Sequence, residues 1–180
     1  MHPTLEARLA ELREEEARKT RHREQVVRER RFLIPVFLFV LFLFPNLGTV
    51  SVVGTSMHPT LETGDRLLML KTHQIFSPIR PGDIVVVRKA DGSYKGEDLI
   101  KRVICVKDKQ GNLLWAPSVK TSEGTIDPKR LFPHYVLRLR PFPKGSVLVL
   151  GDNIFHSTDS RDPEVGAISA AEIEGKVLFR

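Results

Sequence analysis

Three short stretches carry the residues that could do chemistry: Gly54–Leu61 (GTSMHPTL), Ile100–Val103 (IKRV) and Gly151–Arg161 (GDNIFHSTDSR). Each is weak alone. Together they supply a hydroxyl at Ser56, an amine at Lys101, imidazoles at His58 and His156, and carboxylates at Asp152 and Asp159. A serine hydroxyl attacks poorly until a neighbouring base takes its proton. Lysine can be that base only if its pKa falls, because an ordinary value near 10.4 leaves well under about a hundredth neutral at pH 7. Burial among apolar groups lowers it, and Lys101 lies between Leu99-Ile100 and Val103-Ile104. A fall of about two units corresponds to roughly 2.7 kcal/mol. Arg102 stays protonated and cannot serve; in an extended strand it points to the opposite face from Lys101. The alternative base is a histidine, with His58 or His156 in a Ser-His-Asp arrangement, although no GxSxG accompanies them. Asp159 and Arg161, two apart, face one side of an extended segment and read as an ion pair.

The body that must position these groups is residues 48–180. Short Val/Ile/Leu runs alternate with Gly, Pro and Asp turns, predicting strands at Leu67–Leu70, Ile84–Arg88, Leu99–Lys107, Tyr135–Leu139, Val147–Leu150 and Lys176–Phe179. Ala116–Pro133 reads as a loop. The pattern is mainly β, of the sandwich or partly open barrel type.

Ahead of that body lie two other segments. Leu5–Arg31 is rich in Glu, Arg, Ala and Leu, with Glu14–Arg18 and Glu24–Arg28 at i,i+4 spacing, and predicts a solvated charged helix. From Phe32 to Leu61 there is no Asp, Glu, Lys or Arg. The run FLIPVFLFVLFLFPNL reads as a transmembrane anchor over 32–47, kinked at Pro35 and ended at Pro45-Asn46. It is shorter than the roughly 20 apolar residues of a full span, so the helix must draw on Arg28, Arg30 and Arg31, whose side chains can snorkel. Those arginines put residues 1–31 in the cytoplasm and the rest outside. The charged region before the apolar run is too long for a cleaved signal peptide.

In this order and behind such an anchor, the three stretches closely resemble type I signal peptidases. The resemblance implies a signal-peptidase-like β-fold catalytic domain behind an N-terminal cytoplasmic helix and a single transmembrane helix of the plasma membrane. It implies a membrane-bound serine endopeptidase, facing the exterior or the equivalent compartment of an organelle, that cuts signal peptides from exported preproteins after small residues of the Ala-x-Ala type. By that resemblance Ser56 is the nucleophile and Lys101 the general base. Ser157 orients the lysine, Asp159 and Arg161 form a supporting pair, and Gly151, Asp152 and Asn153 shape the turn beneath the site, with Arg102 also in support. An extended substrate would add beside Val50–Gly54 through main-chain hydrogen bonds. Val52, Gly54, Met57, Leu61, Leu99 and Ile100 are the candidate substrate-binding residues. The tetrahedral intermediate needs pre-placed donors, and the Ser56 N–H is the first candidate. Gly54 stands where many relatives carry a serine, which leaves the second donor to a backbone N–H or a water. Cys105 stands where the family usually has Gly, and the short stretch from Lys101 to Gly151 leaves no room for the large inserted β subdomain of some relatives.

The chain has 180 residues, 41% hydrophobic, with a net charge of +6. Its basic residues are scattered and mixed with Glu, so an anionic bilayer fits them better than nucleic acid. The expected partners are preprotein signal peptides and the lipid bilayer, with the protein a monomer. The single cysteine excludes an intrachain disulfide, and Cys105 in VICVK reads as a small apolar strand residue. Neither a metal nor a cofactor is expected. Two further readings compete: a different Ser/Lys protease of the self-cleaving repressor kind, and a non-enzymatic membrane-tethered β domain.

Overall fold

A computed structural model describes residues 5–72, 77–88, 98–132 and 142–179. The chain forms two units, one up to Pro45 and one from Asn46 onward. The first is a single helix, α1, Leu5–Leu43. It runs without a break from the charged arm into the apolar run, so position 31/32 is a change of composition within one helix. Along the arm, Lys19 pairs with Glu15 at 2.7 Å and Arg18 with Glu14 at 3.8 Å. Such exposed pairs contribute little each. The expected Glu24–Arg28 pair involves the Arg28 side chain, which lies outside what is described. Pro35 is accommodated inside the helix, and a short 3-10 turn, Phe44–Asn46, follows its end. The apolar side chains from Phe32 to Phe42 are exposed. No helix among the described residues is long and apolar enough to cross a membrane. The uncharged run begins at Phe32 and the helix ends at Leu43, so any window of spanning length reaches back into Arg30 and Arg31.

The second unit is mainly β. Its strands are β1 Leu47–Ser51, β2 Arg66–Leu70, β3 Ile84–Val87, β4 Leu99–Lys107, β5 Leu113–Trp115, β6 Val119–Thr121, β7 Gly124–Ile126, β8 Ser146–Leu150, β9 Ile168–Ser169 and β10 Ile173–Phe179. An antiparallel sheet runs β1-β2-β10-β3-β4-β8-β9, with β5 added beside β4. Hairpin β6–β7 forms a separate two-stranded sheet. It occupies part of the stretch expected to be a loop, with a 3-10 turn over Pro128–Leu131 behind it. The expected strand at Tyr135–Leu139 lies outside the described residues.

Burial explains why the apolar runs became strands. In β8 every residue is buried, and in β3 Val85, Val86 and Val87 are fully buried; runs apolar on both faces suit central strands. One core cluster joins Val85, Val87, Val103, Val147 and Val149. A second packs Val52, Met57 and Leu61 against Leu67, Val86 and Ile100. A third surrounds Ile104, Cys105, Leu148 and Leu150. β4 contributes to all three, and it carries Lys101.

Candidate active site

Ser56 sits in the turn between β1 and β2. The His58 N–H donates to the Thr55 carbonyl at 3.1 Å and the Leu61 N–H to the Met57 carbonyl at 3.0 Å. Gly54 has φ +87°, with its carbonyl accepting from Thr63 Oγ1 at 2.9 Å. L-residues with a Cβ rarely adopt that backbone conformation, so a side chain at position 54 would strain the turn as it stands here.

Lys101 reaches this turn from β4. Its Nζ donates to Ser56 Oγ at 2.7 Å, and the residue is only 3% exposed. Burial pushes the amine down to about 8, against the opposing pull of the Asp159 and Asp152 charges. His156 bonds elsewhere, through Nδ1 to Asn153 Oδ1 at 3.3 Å. Of the bases considered, the lysine is the one in contact with the Ser56 hydroxyl.

The neighbouring Arg102 is engaged differently. Its Nε and Nη2 donate to the two oxygens of Asp152 at 2.8 and 2.7 Å, and Nη1 donates to the Gly82 carbonyl. Asp152 is fully buried, so the bidentate pair supplies the charge balance that a buried carboxylate needs. Asp159 is also buried. It accepts from Arg161 Nε at 2.8 Å and Nη2 at 2.9 Å, and from the Gly151 N–H at 3.0 Å.

The third stretch also holds the first. The Asn153 N–H donates to the Ser56 carbonyl at 2.9 Å, and Asn153 Nδ2 to the Thr55 carbonyl at 3.1 Å. Gly151 passes so close that a Cβ there would overlap Ser157 Oγ and lie 2.6 Å from the Ser56 carbonyl oxygen. Only glycine fits. Ser157 is therefore next to the site, but its buried hydroxyl makes no hydrogen bond among the described residues; the contact with Lys101 expected of it is not formed.

A cleft of about 290 Å³ opens beside Ser56 and Lys101, lined by residues 50–53 on one side and 98–101 on the other. Val52, Met57, Leu99 and Ile100 line it as expected, and Val50, Ser51, Val53 and Asp98 join them. Leu61 and Gly54 are not in the lining. Leu61 is a buried core residue packed with Leu67 and Val86. Asp98 was missed because it is a polar residue at a strand start; its carboxylate pairs with Arg88 at the rim. The Arg102–Asp152 contact was also missed, since nothing local links residues so far apart in the chain. Cys105 is fully buried between β5 and β8. Burial raises its thiol to about 12, which makes it inert.

Residues 24–110 and 114–180 match the profile of the family described as signal peptidase, peptidase S26. The chain belongs to the signal peptidase family. It is 34% identical over 155 residues to signal peptidase I of Bacillus caldolyticus, covering 78% of this chain and 80% of that protein. A probable signal peptidase I-1 of Synechocystis is 35% identical over 158 residues, covering 82% and 78%. The chloroplastic thylakoidal processing peptidase 1 of Arabidopsis thaliana is 30% identical over 158 residues, covering 81% of this chain and 45% of the plant protein. The matched residues include all three chemistry-bearing stretches.

Proposed function

We propose that this signal peptidase is a serine endopeptidase in which Ser56 is the nucleophile and Lys101 the general base. The observation that carries this is the 2.7 Å contact between Lys101 Nζ and Ser56 Oγ, made by an amine that burial has lowered to about 8. At that value about a tenth of the lysine is neutral at pH 7. The neutral amine accepts the Ser56 proton as Oγ attacks the scissile carbonyl carbon. The oxyanion is held by the Ser56 N–H. Lys101 then gives the proton to the leaving amine, and an acyl ester on Ser56 remains. Lys101 next activates a water that hydrolyses the ester.

Substrates are preprotein signal peptides with small residues one and three positions before the cut. An extended peptide fits between residues 50–53 and 98–101, in the cleft that Met57 also lines. We further assign residues 32–47 to an anchor in the plasma membrane, with 1–31 cytoplasmic and the β unit outside. Its support is the absence of charge from Phe32 to Leu61, the exposed apolar side chains of α1, and Arg30 and Arg31 before them. Such a helix needs apolar surroundings, and a tether of residues 47–55 reaches at most ~35 Å, keeping Ser56 near the bilayer surface. The protein acts as a monomer without metal or cofactor.

The test is cleavage of a preprotein with an Ala-x-Ala site by the full chain in detergent. Ser56→Ala and Lys101→Ala should each lose at least about a thousandfold in turnover while keeping a folded circular dichroism spectrum. Normal turnover by either variant refutes the assignment.

A further inference from the structure

Asn153 holds two successive carbonyls of the nucleophile turn. Its side-chain amide donates to the Thr55 carbonyl and its backbone N–H to the Ser56 carbonyl. The first of these bonds bears on catalysis through peptide geometry. The Thr55 C=O and the Ser56 N–H belong to one planar trans peptide unit and point in opposite directions. Fixing the Thr55 oxygen, which also accepts from the His58 N–H at 3.1 Å, therefore fixes where the Ser56 N–H points.

The orientation of the Asn153 amide follows from its partners. The Thr55 carbonyl only accepts, so Nδ2 must face it, and Oδ1 is left facing His156. His156 Nδ1 lies 3.3 Å from that oxygen, which requires the proton on Nδ1. His156 is exposed and Asn153 half-buried, so the histidine closes the outer end of a line running His156, Asn153, Thr55, Ser56.

We propose that Asn153 and His156 form a brace that aims the Ser56 N–H at the oxyanion, with Asn153 the direct and His156 the indirect positioning residue. This rests on Ser56 as nucleophile. It gives His156 a role that needs its Nδ1–H donor and no proton transfer. An asparagine side chain can place an N–H donor at a similar distance from its backbone, so His156→Asn should preserve the brace while His156→Ala breaks it.

The experiment is steady-state cleavage of the same preprotein by the full-length chain and its variants, with thermal melting of each. Asn153→Ala should lower kcat by about ten- to a hundredfold, short of the loss of a whole oxyanion donor, with KM changed less than about threefold. His156→Ala should lower kcat by about three- to tenfold, and His156→Asn should restore it to within about twofold. Because His156 is exposed, its variants keep the fold and decide the matter even if Asn153→Ala melts early. The brace is overturned if His156→Ala matches wild type, if His156→Asn is as impaired as His156→Ala, or if KM carries the loss. Ser56→Ala in the same assay separates the two levels. If it remains active the nucleophile assignment fails, whereas if it is dead and the His156 variants are normal only the brace fails.

Discussion

Lys101 and Arg102 are adjacent cations on one strand, and the protein handles them in opposite ways. Arg102 turns to a fully buried carboxylate and is neutralised by a two-pronged contact with Asp152. Lys101 turns to a hydroxyl, and burial lowers it to about 8 although the Asp159 and Asp152 charges pull the other way. The alternation of a β-strand is enough to separate a permanent ion pair from a titratable amine one residue away. One side stabilises; the other keeps an amine whose charge is easily lost, at a cost in stability.

That contrast can be broken from either side. The largest effect on folding should come from Arg102→Met, which strands Asp152 without its partner. Breaking a buried pair costs about 3–5 kcal/mol, read as a fall in the urea midpoint. A loss under about 1 kcal/mol would mean Asp152 does not depend on Arg102. Lys101→Met should do the reverse and raise stability at pH 7. The fall from 10.5 to about 8 corresponds to a native-state penalty of about 3 kcal/mol, less what the Ser56 contact returns. The sign follows from linkage. Between about 8 and 10.5 the unfolded chain binds more protons at this lysine, so wild-type stability rises with pH across that window. Below about 8 the penalty is complete, and above 10.5 it is gone. The gain from Lys101→Met should thus be constant below pH 8 and vanish by about pH 11 in denaturant titrations. The smallest effect is kinetic: kcat/KM should rise about tenfold per pH unit below 8 and level off above it. A profile flat from pH 6 to 9 would show that Lys101 is not the titrating base.

The core strands were legible because their side chains are apolar and little else. β4 coincides with its expected bounds, and β2, β3 and β8 differ only at their ends. β1 escaped notice because Leu47–Ser51 contains Gly48 and Thr49 and directly follows the apolar helix, so no turn signal isolates it. The β6–β7 hairpin escaped because its strands are short and carry Lys120 and Thr125 to solvent. For the site, residue type marked Ser56, Lys101, Asp159 and Arg161, and the structure brings them to one place. Partnerships across the chain, such as Asn153 with Thr55 or Arg102 with Asp152, depend on register and loop closure, which no local pattern encodes. Leu61 misled for the same reason: an apolar residue just beyond the Ser56 turn can face a cleft or the core, and here Leu67 and Val86 claim it.

The position of β10 carries a further consequence. The turn with Ser56 joins β1 to β2, and Lys101 rides on β4 beside β3, yet the ladder between these two halves passes through β10, the last of the described strands in sequence. Without Ile173–Phe179 the strand that pairs with both β2 and β3 would be gone, and the hold of the Ser56 turn on the Lys101 strand would rest on the Asn153 contacts and the shared core.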